Sequence, residues 1–386
     1  MSTTIVKLEN SIQHYAWGSR DAIARLQQRA TPSPEPEAEL WIGDHPHAPS
    51  RVREAGGTTA LPEWLSRDPD RLLGRGCVQL PFLTKVLAAA RSLSLQVHPD
   101  PQQARTGFER ETRAAVPNAE RCYHDPEGKH EVLIALSRFE ALCGFRADAE
   151  VAAALVAMPR TAKYLDSADP GEPLALALFE RLLQSSEVER RVVCEEASAF
   201  ATRAGSREAD WIGRLLEEHP DDPLAVAPLF MNPVVLEPGA GLVVRPGVVH
   251  SYMSGTGVEV MTRSDNVVRG GLTQKHVDGR ELLRISQRSG GPIEPIEPEA
   301  LADDGCESRY ATGTNAFGIR LLSFAADRIL GRRGGQVAVL LCIEGAVDAG
   351  GVELSPGEAA LVPAGVQGYD LKGSARTNRV FEVSSG

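Results

Sequence analysis

Between residues 148 and 228 the sequence changes character and then changes back, and that switch constrains the fold more than any other feature. Upstream, to about residue 147, short apolar runs such as PFLTKVLAAARSLSLQV and HEVLIALSRFEALCGF alternate with breaks such as TPSPEPEAE. That is the pattern of a β-rich unit with long loops. From 148 to 228 Ala, Leu, Glu and Arg dominate, and Leu174, Leu178 and Leu182 recur at i, i+4 and i+8 with Phe179 and Leu183 beside them. This spacing makes one apolar helical stripe, and Ser186 with Glu189 fits a capping box that starts a further helix. After Pro228 strand-like runs return. The expected class is mainly β with an α insertion that packs without contributing chemistry.

A faint internal repeat sharpens that expectation. LEPGAGLVVRPGVVHSY, from Leu236, resembles LSPGEAALVPAGVQGYD, from Leu354, when Pro238 and Gly239 are set against Pro356 and Gly357. Both read as turn, buried strand, turn, which suggests two copies of one β-sandwich unit. Where the first copy has His250 the second has Gly368.

The stretch SLQVHPDP, Ser94 to Pro101, places Ser94, Gln96 and His98 two apart, so in an extended strand they form one polar row opposite Leu93, Leu95 and Val97. Glu131 enters another apolar strand in GKHEVLIAL. Gln96, His98, Glu131 and His250 together offer two imidazole nitrogens and two oxygens, a mixture that suits Zn2+ with an open position for water. A histidine near a strand end is also common as hydrogen-bonded structure, and spacing alone does not show that the four converge.

The net charge of −11 disfavours a nucleic-acid or anionic-membrane partner, so an anionic ligand needs a local cluster of cations. The six cysteines contain no C-x-x-C pair and read as reduced thiols. The first residues, MSTTIVKLEN, hold no long apolar segment, and no run of about 18 apolar residues occurs. A soluble, cytoplasmic protein is expected.

Six segments, QHYAWGSR, AELWIGDHPHAPS, LPFLTKVLAAARSLSLQVHPD, FEALCGFR, RPGVVHSYMSG and SDNVVRGGLTQK, run in order through residues 11 to 279. Together they resemble type I mannose-6-phosphate isomerase, a zinc enzyme family of the cupin class. The resemblance implies two cupin-type β-sandwich (jelly-roll) units plus a helical domain. Residues 1–147 and 229–295 would be the two parts of a catalytic cupin domain, 148–228 the inserted helical domain, and 296–386 a degenerate, cupin-like C-terminal sandwich. It also implies one Zn2+ per chain, held by Gln96, His98, Glu131 and His250. The implied reaction is interconversion of mannose 6-phosphate and fructose 6-phosphate through an enediolate, linking mannose to glycolysis and GDP-mannose synthesis, by a monomer. One departure stands out: the family reads H-K-P-E before its glutamate ligand, and this chain reads Gly128, Lys129, His130, Glu131. A ring-opening role for the family's histidine has no counterpart at Gly128.

Such a reaction moves a proton between adjacent carbons, so it needs a base and a stabiliser of enediolate charge. The catalytic candidates are Glu259, Asp265, Arg269 and Lys129. Arg269 resembles the family's catalytic arginine; its guanidinium stays protonated, so charge stabilisation suits it better than base chemistry. Asp265 is either a proton carrier or the anchor of Arg269. Ser94, Lys275 and Lys85 are candidates for the substrate phosphate, Lys85 being equally readable as a surface lysine. Trp17 and Tyr252 would supply an apolar wall and a hydroxyl. Glu39 and His45 read as structural, and His14, His47, His124, His219 and His276 have no assigned role. The competing readings are a non-catalytic sugar-phosphate-binding cupin and a metal-dependent cupin oxygenase.

Overall fold

The computed structural model describes residues 4–386 except 55, 167, 168, 170, 302 and 327. The chain is mainly β, with a run of consecutive helices between Asp148 and Glu218 and shorter or isolated helices elsewhere, among them Pro101–Arg113. One strand organises the first half: His250–Thr262 runs antiparallel to four others in turn. At its start His250 lies opposite both Gln96 and Cys143. After Gly255 it pairs instead with Phe82–Ala89 and Glu131–Ala135. Gly255 sits at this change of partners with φ +123°, and a Cβ there would lie 2.7 Å from the Phe139 ring. Only glycine meets both conditions. The crossing strand ties two faces into one ten-stranded system and brings the starts of several strands to one place.

Two further sheets form the second half. Four strands, Ile329–Arg333, Gly368–Gly373, Val347–Ala349 and Val352–Leu354, pair together. A nine-stranded sheet faces them and takes six strands from residues 299–385, but three from the first sixty residues: Val6–Glu9, Arg51–Glu54 and Gly57–Ala60. Val6–Glu9 is hydrogen-bonded between Ala359–Val362 and Arg51–Glu54. The halves also share one apolar core, in which Leu40, Phe82, Val86, Ile134 and Val258 pack with Phe317, Val339, Leu361 and Phe381.

The helical block forms as its pattern dictates. Leu178, Phe179 and Leu182 are buried on the helix Leu174–Leu183, with Leu174 and Leu183 packed at the margin. The Ser186 hydroxyl accepts from Glu189 N while Glu189 Oε2 accepts from Ser186 N at 2.7 Å, closing the capping box. The block covers the outer side of strand Leu95–Val97, so Leu95 and Val97 belong to its core with Trp211 and Ile212. Gln96 therefore faces the other way. The last residue of helix Arg207–Glu218 accepts from Ser92 N at 3.0 Å and fixes the turn that leads into this strand.

Truncation after residue 295 strips Val6–Glu9 of one neighbour and uncovers Leu40, Phe82 and Val258. Such a fragment is expected to partition into the insoluble fraction; a monodisperse, cooperatively unfolding 1–295 fragment would contradict the shared core.

Candidate metal centre and active site

His98, Glu131 and His250 converge on one buried point. Gln96 is set there by its register with His250, Glu131 opens the strand Glu131–Ala135, and His98 follows Leu95–Val97 just before a helix capped by Asp100 and Gln103. His98 Nδ1 donates to the Asn266 carbonyl at 2.8 Å, and His250 Nδ1 donates to the Val248 carbonyl at 3.0 Å. Each ring therefore turns an unprotonated Nε2 toward the carboxylate. His98 Nε2 is 3.2 Å and His250 Nε2 3.6 Å from Glu131 Oε2. These are contacts between acceptors, and neither His98 Nε2 nor Glu131 Oε2 has a hydrogen bond. Burial holds both imidazoles neutral, pushing His98 down to about 4 and lowering His250. Burial alone would raise the Glu131 carboxyl, but the charge of Lys129, whose Nζ lies 3.1 Å from Oε1, opposes this and favours the carboxylate. Gln96 completes the ring of donors, its amide nitrogen 3.3 Å from His250 Nε2 and its oxygen accepting from Ser94 Oγ at 2.9 Å. A half-turn of that amide would present Oε1 to the same point. The donor set fits a small divalent cation: it lacks a positive charge where three buried lone pairs meet.

The centre floors a cavity of about 590 Å3. On one wall Lys85 lies between Glu39 and Glu259, 3.4 Å from each, with Trp41 beneath it and Trp41 Nε1 donating to Glu39 at 2.8 Å. Lys85 is buried, which corrects its reading as a surface lysine, and Glu39 is a cavity carboxylate as well as a packed side chain. Burial alone would lower the Lys85 ammonium, but Glu39 and Glu259 raise it above its ordinary value. Burial, reinforced by Glu131, pushes Glu259 up to about 7. The Tyr252 hydroxyl is buried without a hydrogen bond, in the field of Glu259 but outside hydrogen-bonding geometry. Trp17, stacked 5.7 Å from Tyr15, continues the wall.

The opposite side is cationic. Arg269 lies beside Gln96 in the sheet; its guanidinium makes no hydrogen bond or ion pair among the described residues, and burial lowers its pKa. Lys275 rests over the Tyr15 ring at 5.2 Å and is lowered first by burial and then by the charge of Arg269. Among the described residues no carboxylate is paired with either side chain. Asp265 does not anchor Arg269: its Oδ2 is taken by His45 Nε2 at 3.0 Å and His47 Nδ1 at 3.2 Å. Burial opposes the charge on Asp265, yet the bond from His45 outweighs it and holds the carboxyl down at about 2.

Sequence reasoning missed Asn266, His47, His124 and the contribution of the helical block. Asn266 is buried, and its side chain bonds to residues 124, 125 and 127 while its carbonyl holds His98. The SDNVVR motif was its only signal. Glu218 and His219 line the cavity, so the helical block does more than pack. Gly128 passes so close to Pro101 that a Cβ would lie 2.7 Å from its nitrogen.

Comparison with known proteins gives a consistent family. The description "Phosphomannose isomerase type I, catalytic domain" matches residues 5–148. Mannose-6-phosphate isomerase of Escherichia coli K12 is 34% identical over 392 residues, covering 97% of this chain and 99% of that protein. Mannose-6-phosphate isomerase 1 of Arabidopsis thaliana is 31% identical, covering 74% and 72%. Among solved structures, a zinc-bound mannose 6-phosphate isomerase superposes with a TM-score of 0.89 at 31% identity over 99% of both chains.

Replacing Lys85 with Met leaves Glu39 and Glu259 buried without their shared cation. The expected cost is about 3–5 kcal/mol in urea unfolding; an unchanged midpoint would show that the pair is not held by Lys85.

Proposed function

The chain belongs to the type I mannose-6-phosphate isomerase family, and from that premise we propose how its own residues carry out the reaction. It is a zinc-dependent aldose-ketose isomerase that interconverts mannose 6-phosphate and fructose 6-phosphate. The observation that carries this reading is the pairing, in one cavity, of buried unprotonated donors at the floor with unpaired cations at the side.

Zn2+ held by His98, Glu131, His250 and Gln96 would supply Lewis-acid polarisation of the sugar oxygens at the reacting carbons. Lys275 binds the phosphate, and Ser94 lies close enough to the floor to hold Gln96 while its oxygen still accepts. Arg269, free of any carboxylate, stabilises the enediolate oxygens through a planar fork that lysine lacks. Glu259 moves the proton between the two carbons. It sits on the cavity wall with a carboxyl near neutrality, the range that suits a group that both accepts and returns a proton. Lys129 holds Glu131 and keeps its charge at the centre. Lys85 neutralises one side of Glu259, and Trp17 with Tyr252 closes the apolar wall.

Residues 1–147 and 229–295 then supply the catalytic machinery, 148–228 part of the cavity wall, and 296–386 the covering sandwich. The reduced cysteines support a cytoplasmic setting. Neither a binding-only cupin nor an oxygenase is favoured, since the matched relatives are isomerases.

A coupled assay with mannose 6-phosphate should lose activity on chelation and regain it with zinc; activity that survives demonstrated removal of the metal would overturn the mechanism. Metal analysis is expected to find one zinc per chain and to find it lost with activity in His250→Ala, because the shell loses a ligand. Arg269→Lys should retain zinc but lose about 10²-fold in kcat. Unchanged turnover would remove Arg269 from the catalytic set.

A further inference from the structure

Hexose 6-phosphates exist in water mainly as cyclic hemiacetals, so an isomerase acting on the open chain gains from a group that opens the ring. Gly128 supplies none, and its contact with Pro101 leaves no room for a side chain there. Three imidazoles line the cavity: His47, His124 and His219. Of these, only His47 has a ring nitrogen against a carboxylate among the described residues, Nδ1 lying 3.2 Å from Asp265 Oδ2.

The support behind it is built in layers. His45 is buried against the edge of Trp41, ring centroids 4.9 Å apart, and holds the same Asp265 oxygen at 3.0 Å. The backbone N–H of Asp265 donates to Asp125 Oδ2 at 2.9 Å, which fixes the carboxylate from the main-chain side. His45 Nδ1 faces the His47 N–H at 3.4 Å, so its other nitrogen carries the proton given to Asp265. That protonated nitrogen distinguishes this trio from the metal centre, where both imidazoles present bare nitrogens. It reads as a hydrogen-bonded relay, not a second ion site. With Nδ1 turned to Asp265, His47 Nε2 is bonded to no described residue, on a side chain 69% exposed at the cavity mouth.

Resting on the isomerase reading, we propose that His47, oriented by Asp265, is the proton shuttle that opens the substrate's ring. Nε2 takes the proton of the anomeric hydroxyl, and the freed electron pair on that oxygen becomes the second bond of the carbonyl. The bond from the anomeric carbon to the ring oxygen breaks with its pair going to the ring oxygen. The imidazolium returns its proton to that oxygen, leaving neutral His47 and an open-chain sugar phosphate. Ring closure on the product side is the same step reversed.

The test uses the zinc-loaded, full-length protein and magnetisation-transfer NMR of anomer exchange in mannose 6-phosphate, beside steady-state kinetics. Wild-type protein is expected to accelerate exchange, and His47→Gln to lower both that acceleration and kcat by about 10²-fold with KM little changed. Because His47 is exposed, this substitution leaves the fold intact. Imidazole in the buffer should restore part of the loss in His47→Ala, and His124→Gln should exchange anomers like the wild type. Absence of acceleration by the wild type, undiminished exchange in His47→Gln, or a loss confined to His124→Gln overturns the proposal. These outcomes are separable from failure of the isomerase reading, in which zinc-loaded wild type forms no fructose 6-phosphate at all.

Discussion

A carboxylate oxygen buried with no donor to meet it, Glu131 Oε2, is the constraint around which this protein is arranged. Leaving a charged acceptor unsatisfied in the interior costs about 1–3 kcal/mol or more, and here two neighbouring imidazoles cannot relieve it because their protons point away. Those protons are committed by backbone carbonyls of residues 248 and 266, so the donor set is imposed by the fold before any ion arrives. The loop carrying Asn266 is in turn clamped to Asp125 and Glu127. Affinity for a cation thus follows from strand crossing and loop clamping as much as from ligand identity.

The same cavity sorts its other charges. Five cations, Lys85, Arg91, Lys129, Arg269 and Lys275, line it in a protein of net charge −11, but they are not equivalent. Lys85 and Lys129 are consumed by carboxylates within 3.4 Å. Arg269 and Lys275 have none among the described residues; burial disfavours the charged state of both, and the charge of Arg269 adds to this at Lys275. A dianion arriving between them is stabilised by charges that nothing in the protein has neutralised. The overall field disfavours anions while the cavity selects one.

Local features of this arrangement were legible in the chain. The row of Gln96 and His98, the stripe of Leu174, Leu178 and Leu182, and the Ser186 cap each depend on spacing within a few residues, and each formed as its period requires. Long-range partnerships were not. Nothing local tells that Val6–Glu9 will pair with residues 359–361, that Lys85 will lie between carboxylates, or that Asp265 will be met by His45 and His47 and not by Arg269. The helical block looked like packing because its stripe is apolar, while Glu218, which fixes Ser92, sits at its very end.

The second sandwich shows what the first would be without its ion. There Glu382, also buried, bridges the two sheets, but Arg332 approaches it at 2.6 and 3.0 Å, with Tyr369 at 2.9 Å and Arg320 at 3.2 Å. Arg332 also binds Glu307 at 2.8 Å. The repeat places Gly368 where the first copy has His250, and Gly368 stands in register with Arg333, one residue from the arginine that supplies the charge. One copy therefore satisfies its buried carboxylate with a covalently attached guanidinium, which leaves no lone pair open and no chemistry to perform. The other meets one oxygen of its carboxylate with Lys129 and leaves the second among neutral nitrogens, so the charge missing at that second oxygen must come from solution. A buried carboxylate met by a side-chain cation is closed to an ion, and one that keeps an oxygen without a donor is open to one; that electrostatic difference distinguishes the two sandwiches.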